Sequence, residues 1–233
     1  MIERAIVVVD ELGMGRNPAG PEDTPALRAI EGQPAIVGLV EHLVDSGIRE
    51  FLLAIHQVPG LISHFFGDGS SLGVGITYLY QQKRTDTGGA LVEASGFADG
   101  QTVLVAPGTI RTDMHVADFV EHHRSSGGDV TVALTEIGSG GRGGRPMVTL
   151  DQDSRVVTYE RTGEAVDANW RETGVFLIEP DLLGTLSKVP PVDWSRDTMP
   201  ALIAEGRVFG WPSPAAFATV PEINLLVRNL DSP

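Results

Sequence analysis

The chain has 233 residues and no cysteine, which suits one large α/β domain with a sizeable core and excludes disulfides, thiolate catalysis and Cys-ligated zinc. Its formal net charge of −14 argues against a general nucleic-acid surface, since phosphate backbones need clustered Lys and Arg, but not against a small anionic ligand held by a few donors. No apolar run approaches membrane-spanning length and Met1-Ile2-Glu3-Arg4 has no signal-peptide pattern, so a cytoplasmic protein with no membrane and no nucleic-acid partner is expected.

Ile6 to Val9 are all β-branched, a run that suits a strand covered on both faces. It feeds a loop in which Gly13 and Gly15 let backbone amides approach a ligand, as in phosphate-cradling loops. Asp10 and Glu11 at the strand's exit would repel a phosphate. Pro34 to Ser46 carries Ile36, Leu39, Val40, Leu43 and Val44 at the spacing of one buried helix face, with Gly47 as its stop. Glu50 to Ile55 reads as the next strand, and strand, helix, strand with short connectors is the βαβ signature of a mostly parallel sheet.

Val58 to Phe66 is expected to be a short helix, Gly67 to Ser71 a polar turn and Gly75 to Tyr80 a third strand. Thr85 to Leu91 reads as a glycine-bearing loop opening a helix that runs to about Ser95. A buried strand, Thr102 to Val105, exits through Ala106 to Asp113. Ligands of open parallel sheets sit beyond the strands' carboxyl ends, so the residues around 10–16, 85–89 and 107–113 are expected to converge.

A helix over Val116–Arg124 and a strand over Asp129–Leu134 follow, and Gly138 to Gly144 reads as a surface loop. Beyond it come strands near Met147–Leu150, Arg155–Arg161 and Gly174–Glu179, a helix over Ser195–Glu205, a strand at Arg207–Gly210 and a short helix after Pro221. With no repeat and no linker, residues 1–233 are expected to form one domain with halves 1–135 and 136–233.

Several residues have a chemical reading beside a bland one. Asp10 and Glu11 could form an acid/base pair, because neighbouring buried carboxylates push each other's pKa apart, or could sit in solvent and cap a turn. Asp113 with His115 could hold a divalent metal, or Asp113 could cap the following helix. His56 follows a strand end and is read as structural; His122-His123, on a charged helix, are read as a solvated face. Thr87 to Gly89 face either a ligand or a packed helix start, and Trp170, Trp194 and Trp211 either a sugar or the core.

In order along the chain stand Thr24-Pro25 and Gly32-Gln33-Pro34, Phe65-Phe66-Gly67-Asp68-Gly69-Ser70, T-G-G-A-L at 87–91 and V-L-V-A-P-G at 103–108 with Thr112-Asp113. L-D-Q-D-S-R-V at 150–156 ahead of Tyr159-Glu160-Arg161, then Pro200-Ala201-Leu202, Ala204 to Gly210 and Val220-Pro221-Glu222 complete the series. In this order the chain resembles the sugar-1-phosphate nucleotidyltransferases over about residues 4 to 230. The resemblance implies a three-layer α/β/α sandwich with a mixed, mostly parallel sheet. It also implies ligand contacts from Gly13, Gly15, Arg16, Thr87, Gly88, Gly89, Gly108, Thr109, Glu160, Arg161 and Gly174; the residues themselves offer Asp10, Glu11 and Asp113 as catalytic candidates of a repurposed pocket.

The departures fall on the chemistry. Family lysines after the Thr-Pro and in the G-K-P correspond to Ala26 and Gln33, and a third becomes Arg161, which could still grip a phosphate. The glycine loop fits in two registers, one with Asp10 and Glu11 in place of paired glycines, the other keeping Gly13, Gly15 and Arg16. The family's two Mg²⁺ aspartates fall on Thr109 and Phe217, and phenylalanine offers no ligand. The resemblance therefore implies a fold whose transferase activity is lost, with no cofactor unless transfer survives with Mg²⁺. Such a protein would bind a sugar phosphate or nucleotide-like ligand, as a homo-oligomer or beside an active homologue. A repurposed enzyme, or an active transferase with a relocated metal site on Asp113 and Asp10, are the alternatives.

Overall fold

Long β-branched and leucine runs place the strands, and helices of one-sided apolarity cover them. The computed structural model describes residues 2–9, 24–30, 32–56, 59–81, 87–137, 145–161, 168–186 and 193–219. The first half contains β1 (Arg4–Val8), the two-residue strands β2 (Ala29–Ile30) and β3 (Gln33–Pro34), α1 (Ala35–Asp45), β4 (Glu50–Ile55), α2 (Pro59–Phe66) and β5 (Gly75–Tyr80). There follow α3 (Thr87–Glu93), β6 (Val103–Pro107), β7 (Ile110–Thr112), α4 (Val116–Ser126) and β8 (Val130–Glu136). The second half adds β9 (Met147–Leu150), β10 (Val156–Glu160), β11 (Trp170–Ile178), α5 (Pro180–Leu186), α6 (Met199–Ala204), β12 (Val208–Pro212) and β13 (Phe217–Thr219).

Nine strands form one sheet in the order β10-β9-β11-β6-β1-β4-β5, with β8 pairing both β11 and β12. The pair β1 and β4, with β5 and β6 outside it, is parallel throughout, and β12 runs parallel to β8. Only β10 and β11 run against the rest, β11 being antiparallel to β6, β8 and β9. One edge of β11 is shared, by β9 at Trp170–Arg171 and by β6 at Phe176–Ile178, while its other edge carries β8.

Alternation along β1 shows the layering. Ala5, Val7 and Val9 join a core with Ile36, Leu39 and Leu43 of α1, Ile62 and Phe66 of α2, and Val116 and Phe119 of α4. Ile6 and Val8 join the opposite core with Ala90 and Leu91 of α3, Leu182 and Leu183 of α5, and Met199 and Leu202 of α6. The molecule is a three-layer α/β/α sandwich on a mixed, mostly parallel sheet. Among the described residues no helix is long and apolar enough to cross a membrane.

The expected elements differ from the observed ones where a local signal was ambiguous. The strand expected from Gly174 begins at Trp170, because Gly174 sits in an irregularity inside it rather than at its start. The helix expected over Ser195–Glu205 is a π-helical turn, Trp194–Thr198, followed by α6. Asp193 caps that turn by accepting from the N–H groups of Ser195 and Arg196 at 3.0 and 2.9 Å. Pro200 has no N–H to continue the ladder, which is why the helix restarts there. The helix α5 and the two-stranded ribbon β7–β13 were not foreseen, and the segment after Pro221 lies outside the described residues.

The solvated reading of His122-His123 is corrected. Val116, Phe119, Val120 and His123 are the buried face of α4, and His123 is only 3% exposed. Its Nδ1 hydrogen-bonds with Thr131 Oγ1 at 2.7 Å and its Nε2 with Glu179 Oε1 at 2.9 Å, while Thr102 Oγ1 donates to the same Glu179 oxygen at 2.6 Å.

His122 is half-buried, and that burial holds its imidazole below the usual histidine pKa. The unfolded chain therefore takes up the proton more readily, and this residue's contribution is lost as pH falls through the unfolded value of about 6.5 toward the folded one. Urea denaturation across that window should show a steeper acid-side loss for the wild type than for His122→Gln. Parallel profiles would refute it.

Candidate functional site

The carboxyl end of β6 is where the predicted site and the fold meet. Gly108 follows Pro107 and donates its N–H to Val8 O at 2.9 Å; a Cβ there would lie 3.4 Å from Val9 Cα, so the chain turns tight under β1. Thr109 is 3% exposed, and its buried hydroxyl has no hydrogen-bond partner among the described residues. The chain then enters β7, which pairs antiparallel with β13: Phe217 opposite Thr112, Thr219 opposite Ile110. This ribbon brings Ile110 and Phe217 to one cavity, with Thr109 just before it in the chain.

Asp113 lies exposed at the ribbon's end, where its Oδ1 accepts from Ala216 N–H at 2.8 Å. It does not cap α4, whose N-cap residue is His115, without a side-chain cap.

The facing wall comes from β11. Between Glu172 and Phe176 the strand advances four residues while β8 advances two, from Leu134 to Val132, so the chain bulges. Gly174 supplies the left-handed backbone, at φ 86°, that the bulge requires. Thr173 fastens it by donating Oγ1–H to Ala133 O at 2.8 Å and accepting Val175 N–H at 3.1 Å.

Against Gly174 lies a guanidinium: a Cβ at that position would stand 2.3 Å from Arg145 Nη1, so a larger residue would push the guanidinium aside, besides straining the positive φ. Arg145 pairs with Glu172 at 3.7 Å, their side chains 12% and 4% exposed. The Tyr159 hydroxyl donates to Glu172 and lies 3.4 Å from Ser195 Oγ. Burial, reinforced by the Glu172 charge, pushes the Tyr159 hydroxyl well above its ordinary pKa.

Arg145, Arg171, Glu172, Thr173, Thr135, Ile110 and Phe217 line a partly open cavity of about 10 Å³. Thr135 also borders an open cleft of about 430 Å³ with Glu136, Trp170, Pro212, Ser213, Pro214 and Ala215.

Other predicted residues fall as follows. Thr87, Gly88 and Gly89 form the first turn of α3 and are buried. Glu160 is exposed, and Arg161 pairs with Asp193 at 3.7 Å. His56 Nδ1 hydrogen-bonds with Gln81 O at 2.9 Å. Trp194 meets Phe176 edge-on at 5.5 Å and Trp211 stacks on Phe119 at 4.9 Å, both in the core, so only half-buried Trp170 faces the cleft. Ala26 is fully buried and Gln33 donates to Glu41 at 3.2 Å. Asp10, Glu11, Gly13, Gly15 and Arg16 lie outside the described residues. Arg145 and Glu172 were not singled out from the sequence; the E-T-G at 172–174 was the available signal.

A divalent ion does not fit this wall. The hydroxyl at Thr109 is buried without a partner among the described residues, Phe217 is apolar, and Glu172 is already engaged by Arg145 and Tyr159. Among the described residues no three acidic or imidazole groups gather as a metal site would need.

The sequence profile described as "Nucleotidyl transferase" matches residues 22–207. The chain belongs to this family. A mannose-1-phosphate guanylyltransferase of Mycobacterium tuberculosis is 26% identical over 209 residues, covering 89% of this chain and 58% of the relative. A UTP–glucose-1-phosphate uridylyltransferase of Synechocystis is 23% identical, over 76% of this chain and 49% of its own length. The chain thus spans between 57% and 59% of the length of the first three guanylyltransferase relatives.

Among solved structures, a putative glucose-1-phosphate thymidylyltransferase from Bacillus anthracis superposes with a TM-score of 0.82 at 15% identity, covering 97% of this chain and 93% of that one. HddC from Yersinia pseudotuberculosis gives 0.80 at 15% identity, with 97% of each chain covered. Both share the fold of this nucleotidyl transferase family member.

Proposed function

We propose that this family member has given up metal-dependent nucleotidyl transfer and serves as a ligand-binding or regulatory subunit for sugar-nucleotide chemistry. The observation that supports the reading is that Thr109 and Phe217 stand where the resemblance puts metal carboxylates, and that Phe217 shares its cavity with the Arg145–Glu172 pair. Without a metal clamp, charge building on a reacting phosphate loses a stabilisation typically worth several kcal/mol. The buried Ala26 and the Glu41-bonded Gln33 supply no cation in its place.

A ligand still has somewhere to bind. The 430 Å³ cleft offers the face of Trp170, the Glu136 carboxylate and the Thr135 hydroxyl, a combination suited to a sugar ring and its hydroxyls. The relatives' chemistry suggests a sugar phosphate or nucleotide sugar, and a regulatory role suggests an active homologue as partner.

With GTP or UTP, mannose-1-phosphate or glucose-1-phosphate, and Mg²⁺, the purified chain should release no pyrophosphate above the uncatalysed rate. Thermal-shift measurements should show stabilisation by a sugar phosphate or nucleotide sugar that is unchanged by Mg²⁺. Mg²⁺-dependent pyrophosphate release would overturn the proposal. Mixed with an active guanylyltransferase of the same organism, the chain should change that enzyme's kcat or KM.

A further inference from the structure

We infer that the outer edge of β5, with the exposed face of α2 beside it, is a docking surface for a second copy of this chain, the two β5 strands pairing antiparallel about a two-fold axis at Leu79.

Charge and apolarity mark the same surface. Asp68 is the only Asp, Glu, Lys or Arg between Phe51 and Gln82, in a chain where 21% of residues are charged. That segment also supplies three of the four large apolar side chains left exposed among the described residues. These are Leu61 and Phe65, one helical turn apart on α2, and Tyr80 on β5, each between 47% and 56% exposed. Tyr78 joins them, its ring stacked on that of Tyr80 at 6.0 Å and its hydroxyl donating to Gly67 O, just past α2, at 2.6 Å. Edge strands are ordinarily guarded by charge, proline or a bulge. The opposite edge of the sheet is so guarded, since β10 bulges between Val156 and Thr158 and has exposed Arg155 and Glu160 at its two ends. The six residues of β5 include no charge and no proline.

Hydrogen bonding within the sheet fixes which groups face outward. Gly75 and Gln81 donate their N–H groups to Arg49 O and Ile55 O, on the β4 side. By strand alternation the N–H and C=O of Tyr78 and Tyr80 point the other way. Ile76 N–H is taken by Asp68 O at 3.1 Å, so the open stretch begins at Tyr78. Centred on Leu79, an antiparallel copy sets each Tyr78 opposite the other's Tyr80. Each such pair can exchange two hydrogen bonds, and the tyrosine rings of both copies meet on the face that α2 covers.

Net charge selects the occupant. Each copy carries −14, so two copies repel across most faces and approach closely only where both are neutral. A basic partner would instead be drawn to the acidic surface. The β5 edge also needs no second kind of strand, because a two-fold axis makes it its own complement.

Sedimentation equilibrium of the purified chain tests this. The wild type should form a reversible dimer that tightens as NaCl screens the repulsion between copies. Phe65→Glu and Tyr80→Glu, both at exposed positions, should each weaken the dimer at least about tenfold. Val157→Glu, at the exposed apolar residue of β10, should leave it unchanged. A monomer at every concentration, a dimer indifferent to Tyr80→Glu, or association only with an active homologue would overturn the inference.

Cross-linking gives a second readout that introduces no charge. The chain has no cysteine, so Leu79→Cys puts a single thiol from each copy at the axis, and mild oxidation should join the two. Thr77→Cys, on the same side of the strand but opposite the other copy's Gln81, should stay unjoined. Equal joining at 77 and 79, or none at 79, would overturn the strand pairing.

Discussion

Glu172→Ala is expected to destabilise the protein by about 3–5 kcal/mol, because it strands the Arg145 charge on a side chain only 12% exposed. Two losses combine: the ion pair and the acceptor for the Tyr159 hydroxyl. Glu172→Gln keeps an acceptor and should cost less. Removing both partners, in Arg145→Met/Glu172→Leu, should cost less than the two single changes summed, since neither charge is then left behind. Urea denaturation of the four proteins measures the coupling. If Glu172→Ala stays within about 0.5 kcal/mol of the wild type, as exposed substitutions do, the pair does not hold the wall together.

Thr109→Asp, which restores a carboxylate where the resemblance places one, is expected to destabilise by several kcal/mol rather than to restore a metal site. Thr109 is 3% exposed and its hydroxyl has no partner among the described residues, so an aspartate there is desolvated with no donor among them to receive its charge. Its folded-state pKa should therefore rise above the ordinary value of about 3.9. A raised carboxyl pKa means that the folded state holds the proton longer than the unfolded one. The deficit relative to the wild type should be small in acid and grow as pH rises through that folded pKa. Urea midpoints from about pH 4 to 7 give the profile. A saturable Mg²⁺ rescue of Thr109→Asp with Phe217 still in place would show that the wall accepts a metal after all.

The sheet was legible because its strands are runs the backbone can use in only one way. Ile6 to Val9, Phe51 to Ile55 and Val103 to Val105 have no polar interruption, and each is a buried strand beside another. The Gly47 stop after α1 was equally clear, as it takes φ 100°. Gly174 misled, because a glycine inside a strand pattern can mark either a start or a bulge, and only pairing with β8 decides between them.

His123 was misread although the signal was present. It stands seven residues after Val116, on the stripe of Phe119 and Val120, but the surrounding Glu121, His122 and Arg124 look like a solvated face. Burial became affordable through Thr131 and Glu179, which lie 8 and 56 residues away in sequence. Arg145 and Glu172 were illegible for a similar reason. A guanidinium beside a glycine run reads as surface until the Gly174 bulge and the Tyr159 hydroxyl are brought to it by three separate segments. The expectation for Thr109 and Phe217 came from order along the chain, whereas the ribbon of β7 and β13 could not be foreseen, because the two strands are three residues each.

The pairing of β8 has a consequence for synthesis. Its partners are β11 and β12, both from later in the chain. As the protein emerges from the ribosome, β1, β4, β5 and β6 can assemble at once, while Val130 to Glu136 waits with both edges bare until Trp170–Ile178 and then Val208–Pro212 appear. Five of those waiting residues, Val130 to Leu134, end fully buried and carry no charge, so the nascent chain holds an adhesive strand throughout that interval. A stall or premature stop between residues 137 and 169 should leave a fragment that chaperones hold rather than one that folds.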